Sequence, residues 1–367
     1  MPSAQRRWVT DAIHTLETEM KRSTETPLRV FPLPEEWEID LYFKDESMHP
    51  TGSLKHRLAH SLMLFGLVNG DIDENTTLVE ASSGSTAVSE AYFAQLLGLS
   101  FVAVVPTSTS PSKLALIEQH GGRCEFVNDA TALYAEAERL GARPGWYYLD
   151  QFSRASSATD WRAHGNVAYA IFDQLRGRRH PEPAWIVVGA GTGGTSATIG
   201  RFCRYHRAQT RVAVVDPEGS AFFSAWQENR RDVTARGSRI EGIGRPRVEP
   251  SFIPTVIDEM IQVPDAASLS AMNLFEHVMG DSVGPSTGTN LYGALCLVAR
   301  MQVAGETGSV VTLICDSGTR YLETYQSDAW VAQQGLSLAP HDRALKQFLD
   351  TGVWSEASAL VVADSLP

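Results

Sequence analysis

The sequence predicts an α/β protein built from two blocks of parallel strands. Short apolar strands alternate with amphipathic helices along the chain, and this alternation is interrupted near residues 150–160. Strand–helix–strand units of this length form parallel sheets whose faces are covered by the helices. A chain of 367 residues is long enough for two such domains.

Each predicted strand is a short run rich in β-branched and aromatic residues that is bounded by turn residues, and each helix has apolar residues three or four apart. The first elements are a helix at 8–22, a strand at 38–43, a helix at 54–69, a strand at 76–81, a helix at 86–97, a strand at 101–106, a helix at 111–120, a strand at 123–127, a helix at 130–140 and a strand at 146–149. After the interruption we predict a helix at 163–175, a strand at 185–188, a helix at 195–205, a strand at 211–215, helices near 267–278 and at 289–301, and a strand at 309–315.

The composition predicts a cytoplasmic protein that binds neither nucleic acid nor membrane. The 31 basic and 43 acidic residues give a formal net charge of −12, which disfavours polyanionic partners. The chain has no apolar run of about 18 residues that would span a membrane, and its N-terminus lacks the apolar core of a signal peptide. The four cysteines are scattered and form no Cys/His cluster, so we expect reduced thiols and no metal site.

Lys55 follows a turn and lies at the start of a predicted helix. Ser53 is placed to cap this helix at its N-terminus, and Gly70 is placed to end it. The helix dipole disfavours a positive charge in the first turn, and a neutral lysine amine can form a Schiff base. A solvated lysine that happens to follow a turn explains this run equally well.

Three loops rich in glycine and hydroxyl residues each follow a predicted strand, which is where ligands bind in open α/β sheets. The first, which we call the hydroxyl loop, has the sequence Ser82-Ser83-Gly84-Ser85-Thr86. Its backbone N–H groups lie at a helix N-terminus and suit a carboxylate or a phosphate. Ordinary capping of the helix by serine explains the loop equally well.

The second loop offers free amides and the positive end of a helix dipole to an anion. Its sequence is Gly189-Ala190-Gly191-Thr192-Gly193-Gly194-Thr195, and we call Gly191–Thr195 the glycine loop. The run also matches G-x-G-x-x-G, and Asp216 lies 22 residues beyond Gly194, close to the spacing of a dinucleotide fingerprint. A nicotinamide-dependent oxidoreductase is therefore a competing hypothesis.

The third loop, Asp316-Ser317-Gly318, follows the strand at 309–315. The hydroxyl of Ser317 could donate to a ring nitrogen, although a simple turn would also use these residues. Together, the lysine and the three loops supply a nucleophile, a carboxylate site, a phosphate site and a hydroxyl donor. Those are the anchors that pyridoxal phosphate and an amino acid require.

The chain resembles the fold type II pyridoxal-phosphate enzymes, which include cysteine synthase and cystathionine β-synthase. The resemblance covers about residues 26–325 and rests on the order of five motifs. They are Pro50-Thr51-Gly52-Ser53-Leu54-Lys55-His56-Arg57, Ser82–Thr86, Gln151-Phe152-Ser153, Gly191–Thr195 and Gly242-Ile243-Gly244, followed by Ser317. The chain departs from the family pattern at His49, His56 and Ser85, where the family has other residues.

The resemblance implies two parallel-sheet domains of the tryptophan synthase β type, with pyridoxal phosphate in the cleft between them. Residues 48–158 would form the smaller domain, residues 8–47 plus 159–335 the larger one, and residues 336–367 a C-terminal extension. It further implies a homodimer. The runs at 80–95, 238–252 and 315–321 look like the branch that contains the bacterial L-cysteine desulfhydrases, which release hydrogen sulfide from cysteine.

The resemblance also implies a role for each motif residue. Lys55 would be the Schiff-base residue and the α-proton base, and Glu241 would assist at water or at the leaving sulfur, although a plain surface carboxylate fits Glu241 better. The cofactor would be bound by Lys55, Ser85, Gly191, Thr192, Gly193, Gly194, Thr195 and Ser317. The substrate would be bound by Ser82, Ser83, Gly84, Thr86, Gln151 and Gly242.

The resemblance implies β-elimination of L-cysteine to hydrogen sulfide, pyruvate and ammonia. Cysteine synthase or another β-replacement enzyme acting on O-acetylserine remains open, because elimination and replacement begin with the same steps. A cofactor-free binding protein on the same scaffold is a further alternative, which the intact Lys55 and Ser317 disfavour.

Overall fold

A computed structural model describes residues 3–23, 25–354 and 362–364. It divides into two compact units. Unit 1 contains the chain through Glu25 together with Met48–Asp160, and unit 2 contains Thr26–Ser47 together with the chain from Trp161 onward.

Helices and strands alternate through most of the described chain, as the sequence predicts. The first elements are α1 (Ser3–Ser23), β1 (Leu28–Phe31), β2 (Ile39–Asp45), α2 (Lys55–Asn69), β3 (Thr77–Ala81), α3 (Ser85–Leu96), β4 (Ser100–Pro106), α4 (Pro111–Glu118), β5 (Arg123–Val127), α5 (Leu133–Gly141), β6 (Trp146–Tyr148) and α6 (Gln151–Ala158). The later elements are α7 (Val167–Leu175), β7 (Trp185–Gly189), α8 (Gly194–His206), β8 (Arg211–Pro217), α9 (Phe222–Gln227), β9 (Glu259–Val263), α10 (Asp265–Met279), α11 (Pro285–Ala304), β10 (Gly308–Ile314), α12 (Asp328–Gln333), α13 (Ala339–Thr351) and β11 (Val362–Asp364).

Unit 1 contains a parallel sheet in the order β5-β4-β3-β6. Its core is formed by apolar residues of α1, α2, α3 and the strands, among them Leu16, Leu62, Leu78 and Phe93. The sheet order places the carboxyl ends of β3 and β6 side by side, so that the hydroxyl loop and the start of α6 lie at the same edge.

The N-terminal helix belongs to unit 1, which corrects the prediction that residues 8–47 join the larger domain as one piece. Ala12, Leu16 and Met20 of α1 are buried in the core of unit 1, and burial of these apolar faces stabilises that placement. The chain then enters unit 2 at Thr26 and returns to unit 1 at Met48.

Unit 2 contains a sheet in the order β1-β2-β10-β7-β8-β9-β11. The strands from β2 to β9 are parallel, whereas β1 and β11 pair antiparallel at the two edges. Buried residues of α10 and α11 pack on this sheet and form the main apolar core. Because β10 and β7 are neighbours, the loops that follow them leave the same edge of the sheet.

Several elements were absent from the sequence prediction: β1, α6, α9, β9, α12, α13 and β11. The helix α13 lies within the predicted C-terminal extension, of which residues 355–361 and 365–367 lie outside the described residues. Within the part of the chain that the structure describes, no helix is both long enough and apolar enough to cross a membrane.

Candidate active site

Lys55 is the first residue of α2, in agreement with the prediction that it lies in a first helical turn. The hydroxyl of Ser53 accepts the N–H of Lys55 at 3.3 Å and so satisfies an N–H at the helix start as predicted, although the N-cap position itself falls on Leu54. Gly70 ends the helix with a φ of 80°, as predicted. Lys55 is partly exposed. Because it is the first residue of α2, it lies at the positive end of the helix dipole.

Behind Lys55, the side chain of His56 is fully buried against α3 rather than turned to solvent. Its ring stacks on that of His49 with centroids 4.9 Å apart, and its Nδ1 lies 3.2 Å from Thr51 Oγ1. Thr51 Oγ1 lies 2.9 Å from the hydroxyl of Ser89 on α3. Two of the positions at which the motif departs from the family pattern are therefore in contact, and Thr51 links the Lys55 turn to the helix of the hydroxyl loop.

The hydroxyl loop connects β3 to α3 and is half-buried from Ser82 to Ser85. Ser82 Oγ accepts the N–H of Gly84 at 3.2 Å, and no side chain caps α3 at Gly84. Thr86 is buried and donates to Gln151 Oε1 at 2.8 Å. The structure thus brings together two candidate substrate-binding elements that are 65 residues apart in the chain.

Gln151 is buried at the first position of α6. Asp150 precedes it with a φ of 53° and caps the helix by accepting the N–H of Ser153 at 3.2 Å. This cap and the helix it starts were missed by sequence reasoning, although an Asp immediately ahead of a polar helical run was a usable signal.

Glu80 is the residue that sequence reasoning overlooked most clearly in unit 1. It is fully buried at the end of β3, where Oε1 accepts the N–H of Ala81 at 2.8 Å and Oε2 accepts the N–H of Gln151 at 3.1 Å. Burial raises the pKa of Glu80, and burial together with the neighbouring Glu80 raises the pKa of the equally buried Glu90 on α3.

In unit 2, the glycine loop lies between β7 and α8. Gly193 has a φ of 86°, and a Cβ there would lie 2.5 Å from Phe252 Cα. A Cβ on Gly191 would lie 2.3 Å from the carbonyl oxygen of Gly242. Only glycine fits these two positions, because the backbone of another segment packs directly against each of them.

The segment that covers the glycine loop contains Gly242-Ile243-Gly244, the predicted substrate-closing motif. The N–H of Gly244 donates to the carbonyl of Ala190 at 2.8 Å, while Gly242 is exposed. The N–H of Glu241 donates to the hydroxyl of Tyr325 at 3.2 Å. The structure therefore places Gly242 against the glycine loop within unit 2, and it fixes the backbone of Glu241.

Ser317 follows β10, whose neighbour β7 leads into the glycine loop. Its Oγ accepts the N–H of Thr319 at 3.4 Å and lies 3.0 Å from Thr319 Oγ1. If the Thr319 hydroxyl donates in that contact, the Ser317 proton is available to a ligand. Asp316 does not cap the following turn: its carboxylate accepts the hydroxyl of Tyr321 at 2.7 Å, and Ser317 occupies the capping position.

Asp216, the acid of the competing dinucleotide hypothesis, is fully buried. Its Oδ2 accepts the N–H of Phe223 at 2.8 Å, and burial raises its pKa to about 7. The carboxylate therefore holds the start of α9 and is not presented to a ribose, so the fingerprint lacks its second half.

The glycine loop has the properties of a phosphate site. The helix α8 starts at Gly194, whose N–H donates to Thr192 Oγ1 at 3.1 Å, and its N-terminal dipole favours an anion. Thr192 and Gly193 are buried, whereas Thr195 is half-buried with a hydroxyl at the first turn. A phosphate group fits this combination of helix dipole, backbone cradle and threonine hydroxyl.

The α/β fold, the lysine at a helix start and the glycine cradle define a class of enzyme that uses pyridoxal phosphate. The model of the family described as pyridoxal-phosphate dependent enzyme matches residues 21–316, and the chain belongs to that family. The nicotinamide alternative is thereby overturned, and the cofactor is pyridoxal phosphate.

The chain is also similar to individual proteins whose names state a particular reaction. The chain is 58% identical to L-cysteine desulfhydrase Cds1 of Mycobacterium tuberculosis, over 96% of this chain and 97% of that protein. It is 31% identical to N-(2-amino-2-carboxyethyl)-L-glutamate synthase of Ralstonia nicotianae, over 82% and 86% of the two chains. The crystal structure of O-ureido-L-serine synthase superposes with a TM-score of 0.74 at 26% identity, over 86% of this chain and 98% of that one.

Proposed function

We propose that this enzyme is an L-cysteine desulfhydrase, a carbon–sulfur lyase that converts L-cysteine and water into hydrogen sulfide, pyruvate and ammonia. The observation that carries the proposal is the 58% identity, over nearly the whole of both chains, to a protein named for this reaction. The geometry of the glycine loop supports it, because that loop suits the phosphate of the cofactor.

Four groups are assigned to the cofactor. Lys55 would hold the cofactor covalently, the glycine loop would bind its phosphate, and Ser317 would donate to its ring nitrogen. Ser85 replaces a longer family side chain and would donate its hydroxyl near the ring. Bound pyridoxal phosphate supplies the electron sink that makes loss of an α-proton possible.

The substrate carboxylate is assigned to the hydroxyl loop and to Gln151. Amides at the start of α3 and the hydroxyls of Ser82 and Ser83 provide donors, and the Thr86–Gln151 hydrogen bond fixes the two elements relative to each other. Gly242, exposed beside the glycine loop, approaches the substrate with its backbone only.

The proton transfers are assigned to two side chains. Once the substrate amine has replaced it, Lys55 Nζ takes the α-proton as general base, and the β-sulfur leaves as sulfide. Glu241, whose backbone is held by Tyr325, protonates the leaving sulfur or orients water. Water then completes the conversion of the remaining three-carbon unit to pyruvate and ammonia.

One assay tests the function. The purified enzyme with pyridoxal phosphate is incubated with L-cysteine alone, and sulfide, pyruvate and ammonia are measured. We expect equal amounts of the three products. Sulfide without pyruvate, or no pyruvate at all, would reject the lyase assignment.

A second function, β-replacement, is favoured by the names of two similar proteins, both of which are synthases. The same enzyme sample is given O-acetylserine and sulfide, and the cysteine formed is measured. A rate of cysteine formation well above the rate of pyruvate formation from cysteine would make this the main activity.

We also propose a homodimer in the cytoplasm. The net charge of −12 and the scattered cysteines support the compartment, and the family resemblance suggests the dimer. Size-exclusion chromatography with light scattering tests the dimer. A mass of about 40.1 kDa, which is the mass of one chain, would contradict it.

A further inference from the structure

Two buried carboxyl groups lie beneath the hydroxyl loop. Glu80, at the end of β3, and Glu90, on α3, are both fully buried, and the loop connects these two elements. Two carboxylates in one buried place are costly unless hydrogen bonds or protons neutralise them.

Glu80 is fixed by the segments that it would support. One oxygen accepts the N–H of Ala81, next to the hydroxyl loop, and the other accepts the N–H of Gln151. Gln151 in turn accepts the hydroxyl of Thr86, the last residue of the loop. A change in the charge or orientation of Glu80 therefore reaches both elements assigned to the substrate carboxylate.

Glu90 needs a proton on its carboxyl group to form a hydrogen bond. No N–H or hydroxyl among the described residues donates to either of its oxygens, both of which are buried. A protonated Glu90 can donate to the Glu80 carboxylate, which gives both groups a partner. With Glu90 protonated, the carboxyl groups of Glu80 and Glu90 together carry at most one negative charge.

Other ionisable groups surround the pair without neutralising it. Asp150, ahead of α6, faces Glu80 and adds negative charge, whereas burial and the neighbouring carboxyl groups raise the pKa of Tyr148 on β6, so that its phenol stays neutral. The helices packed on α3 add further titratable side chains, namely His56 and His60 of α2, which contact Phe93, and Lys113 and Glu118 of α4.

We propose that Glu80 and Glu90 act as positioning residues for the substrate carboxylate, with Glu90 kept protonated so that the hydroxyl loop has little negative charge beneath it. The inference rests on the proposed assignment of that loop to the carboxylate. Loss of the Glu90 proton places a second negative charge near the bound carboxylate and weakens binding.

The experiment compares two ligands that differ only in the carboxylate. L-Alanine and ethylamine are titrated into the pyridoxal-phosphate enzyme between pH 7 and pH 10, and dissociation constants are taken from the change in cofactor absorbance. Each constant is first corrected for the fraction of free amine, because the amine of L-alanine has a lower pKa than that of ethylamine, and the ratio of the corrected constants then removes the titration of Lys55, which both ligands share. Neither ligand has a β-leaving group, so the measurement does not depend on turnover.

For the natural enzyme, the ratio should rise about 15- to 30-fold toward high pH, the effect of one added charge if it lies about 8–10 Å away at an effective dielectric constant near 20. In Glu90→Gln, which donates an N–H but cannot ionise, the ratio should change less than about twofold. Glu74→Gln, at an exposed position of the same unit, should behave like the natural enzyme.

Three results would overturn the proposal: a flat ratio in the natural enzyme, a full rise in Glu90→Gln, or equal flattening in Glu74→Gln. The first needs no variant, so a folding failure of Glu90→Gln leaves the test intact. If L-alanine does not bind while ethylamine does, the carboxylate assignment itself fails. If both bind but no pyruvate forms from cysteine, only the proposed function fails.

Discussion

The hydroxyl loop of unit 1 is held by side-chain hydrogen bonds, whereas the glycine loop of unit 2 is held by backbone packed on backbone. In unit 1, Thr86 binds Gln151 and Glu80 binds the start of α6. In unit 2, Phe252 and Gly242 occupy the space that side chains at Gly193 and Gly191 would need.

This difference in how the two loops are held matches the ligands assigned to them, the cofactor phosphate and the amino-acid substrate. A phosphate is the same in every reaction, and a rigid backbone cradle binds it without side chains that could move. An amino-acid substrate enters and leaves at each turnover, and adjustable hydroxyls and a protonatable pair can respond to it. Substitutions should therefore affect cofactor content in unit 2 and substrate affinity in unit 1.

The largest expected effect is that of Lys55→Ala in unit 1. Sulfide release from cysteine should fall about 10²–10⁴-fold, because the general base is lost. Borohydride should no longer attach the cofactor to the chain, whereas equilibrium dialysis should still detect cofactor bound through the glycine loop. Lys21→Ala, an exposed lysine of α1, is the control. Covalent attachment that survives in Lys55→Ala would remove this lysine from the mechanism.

Next is Gly193→Ala in unit 2. A left-handed alanine costs about 1–3 kcal/mol, and its Cβ would also meet Phe252 Cα at 2.5 Å. Cofactor content after dialysis should fall at least about tenfold, in line with that energy.

Gly280→Ala is the matched control for Gly193→Ala. Its φ of 80° gives the same backbone strain, but nothing lies within 4 Å of its added Cβ. It should keep its cofactor. Equal cofactor loss in both variants would show that general destabilisation, not the glycine loop, controls binding.

Thr86→Ala tests whether a substitution in unit 1 changes substrate affinity and leaves cofactor content unchanged. The buried Gln151 Oε1 loses its donor, which costs about 1–3 kcal/mol. We expect the KM for L-cysteine to rise about tenfold with a smaller change in kcat, and cofactor content to stay normal. Thr86→Ser should restore the KM. If it does not, the methyl group rather than the hydroxyl is what matters.

The smallest effect concerns Asp216, a buried carboxyl outside both loops. Its pKa is raised to about 7, while an unfolded Asp has a pKa near 3.9. Between these values the folded chain holds a proton that the unfolded chain releases, so the stability contributed by this group falls as the pH rises toward 7.

Asp216→Asn should remove that slope, because the amide cannot ionise and its oxygen still accepts the N–H of Phe223. Chemical denaturation at pH 5 and pH 8 should show the natural enzyme losing at least about 1 kcal/mol relative to the variant. Parallel behaviour of the two proteins would mean that Asp216 is ionised in the folded state.

The local parts of the site were accessible from sequence, and the tertiary ones were not. The start of α2 at Lys55, its end at Gly70 and the strand before each loop follow from helical spacing, turn residues and short apolar runs. Ser53 lies just before Leu54, which already has helical dihedral angles, and its hydroxyl accepts the N–H of Lys55 as a capping serine does.

The pairing of Thr86 with Gln151 joins residues that no local pattern connects, and so does the contact of Gly193 with Phe252. The charge of Glu80 suggested an exposed residue, and only the fold shows that backbone amides and Glu90 surround it. β1 was missed because its four residues lie inside a proline-rich stretch, between Pro27 and Pro32, and are mostly not buried.

The pairing of β2 with β10 has a consequence for biosynthesis. β2 ends at Asp45, and its parallel neighbour begins at Gly308, so most of the chain must leave the ribosome before that ladder forms. Unit 1, by contrast, is finished by Asp160. A nascent chain stalled before Gly308 should therefore contain a folded lysine-bearing unit beside an open, apolar strand edge, the state in which chaperones would matter most.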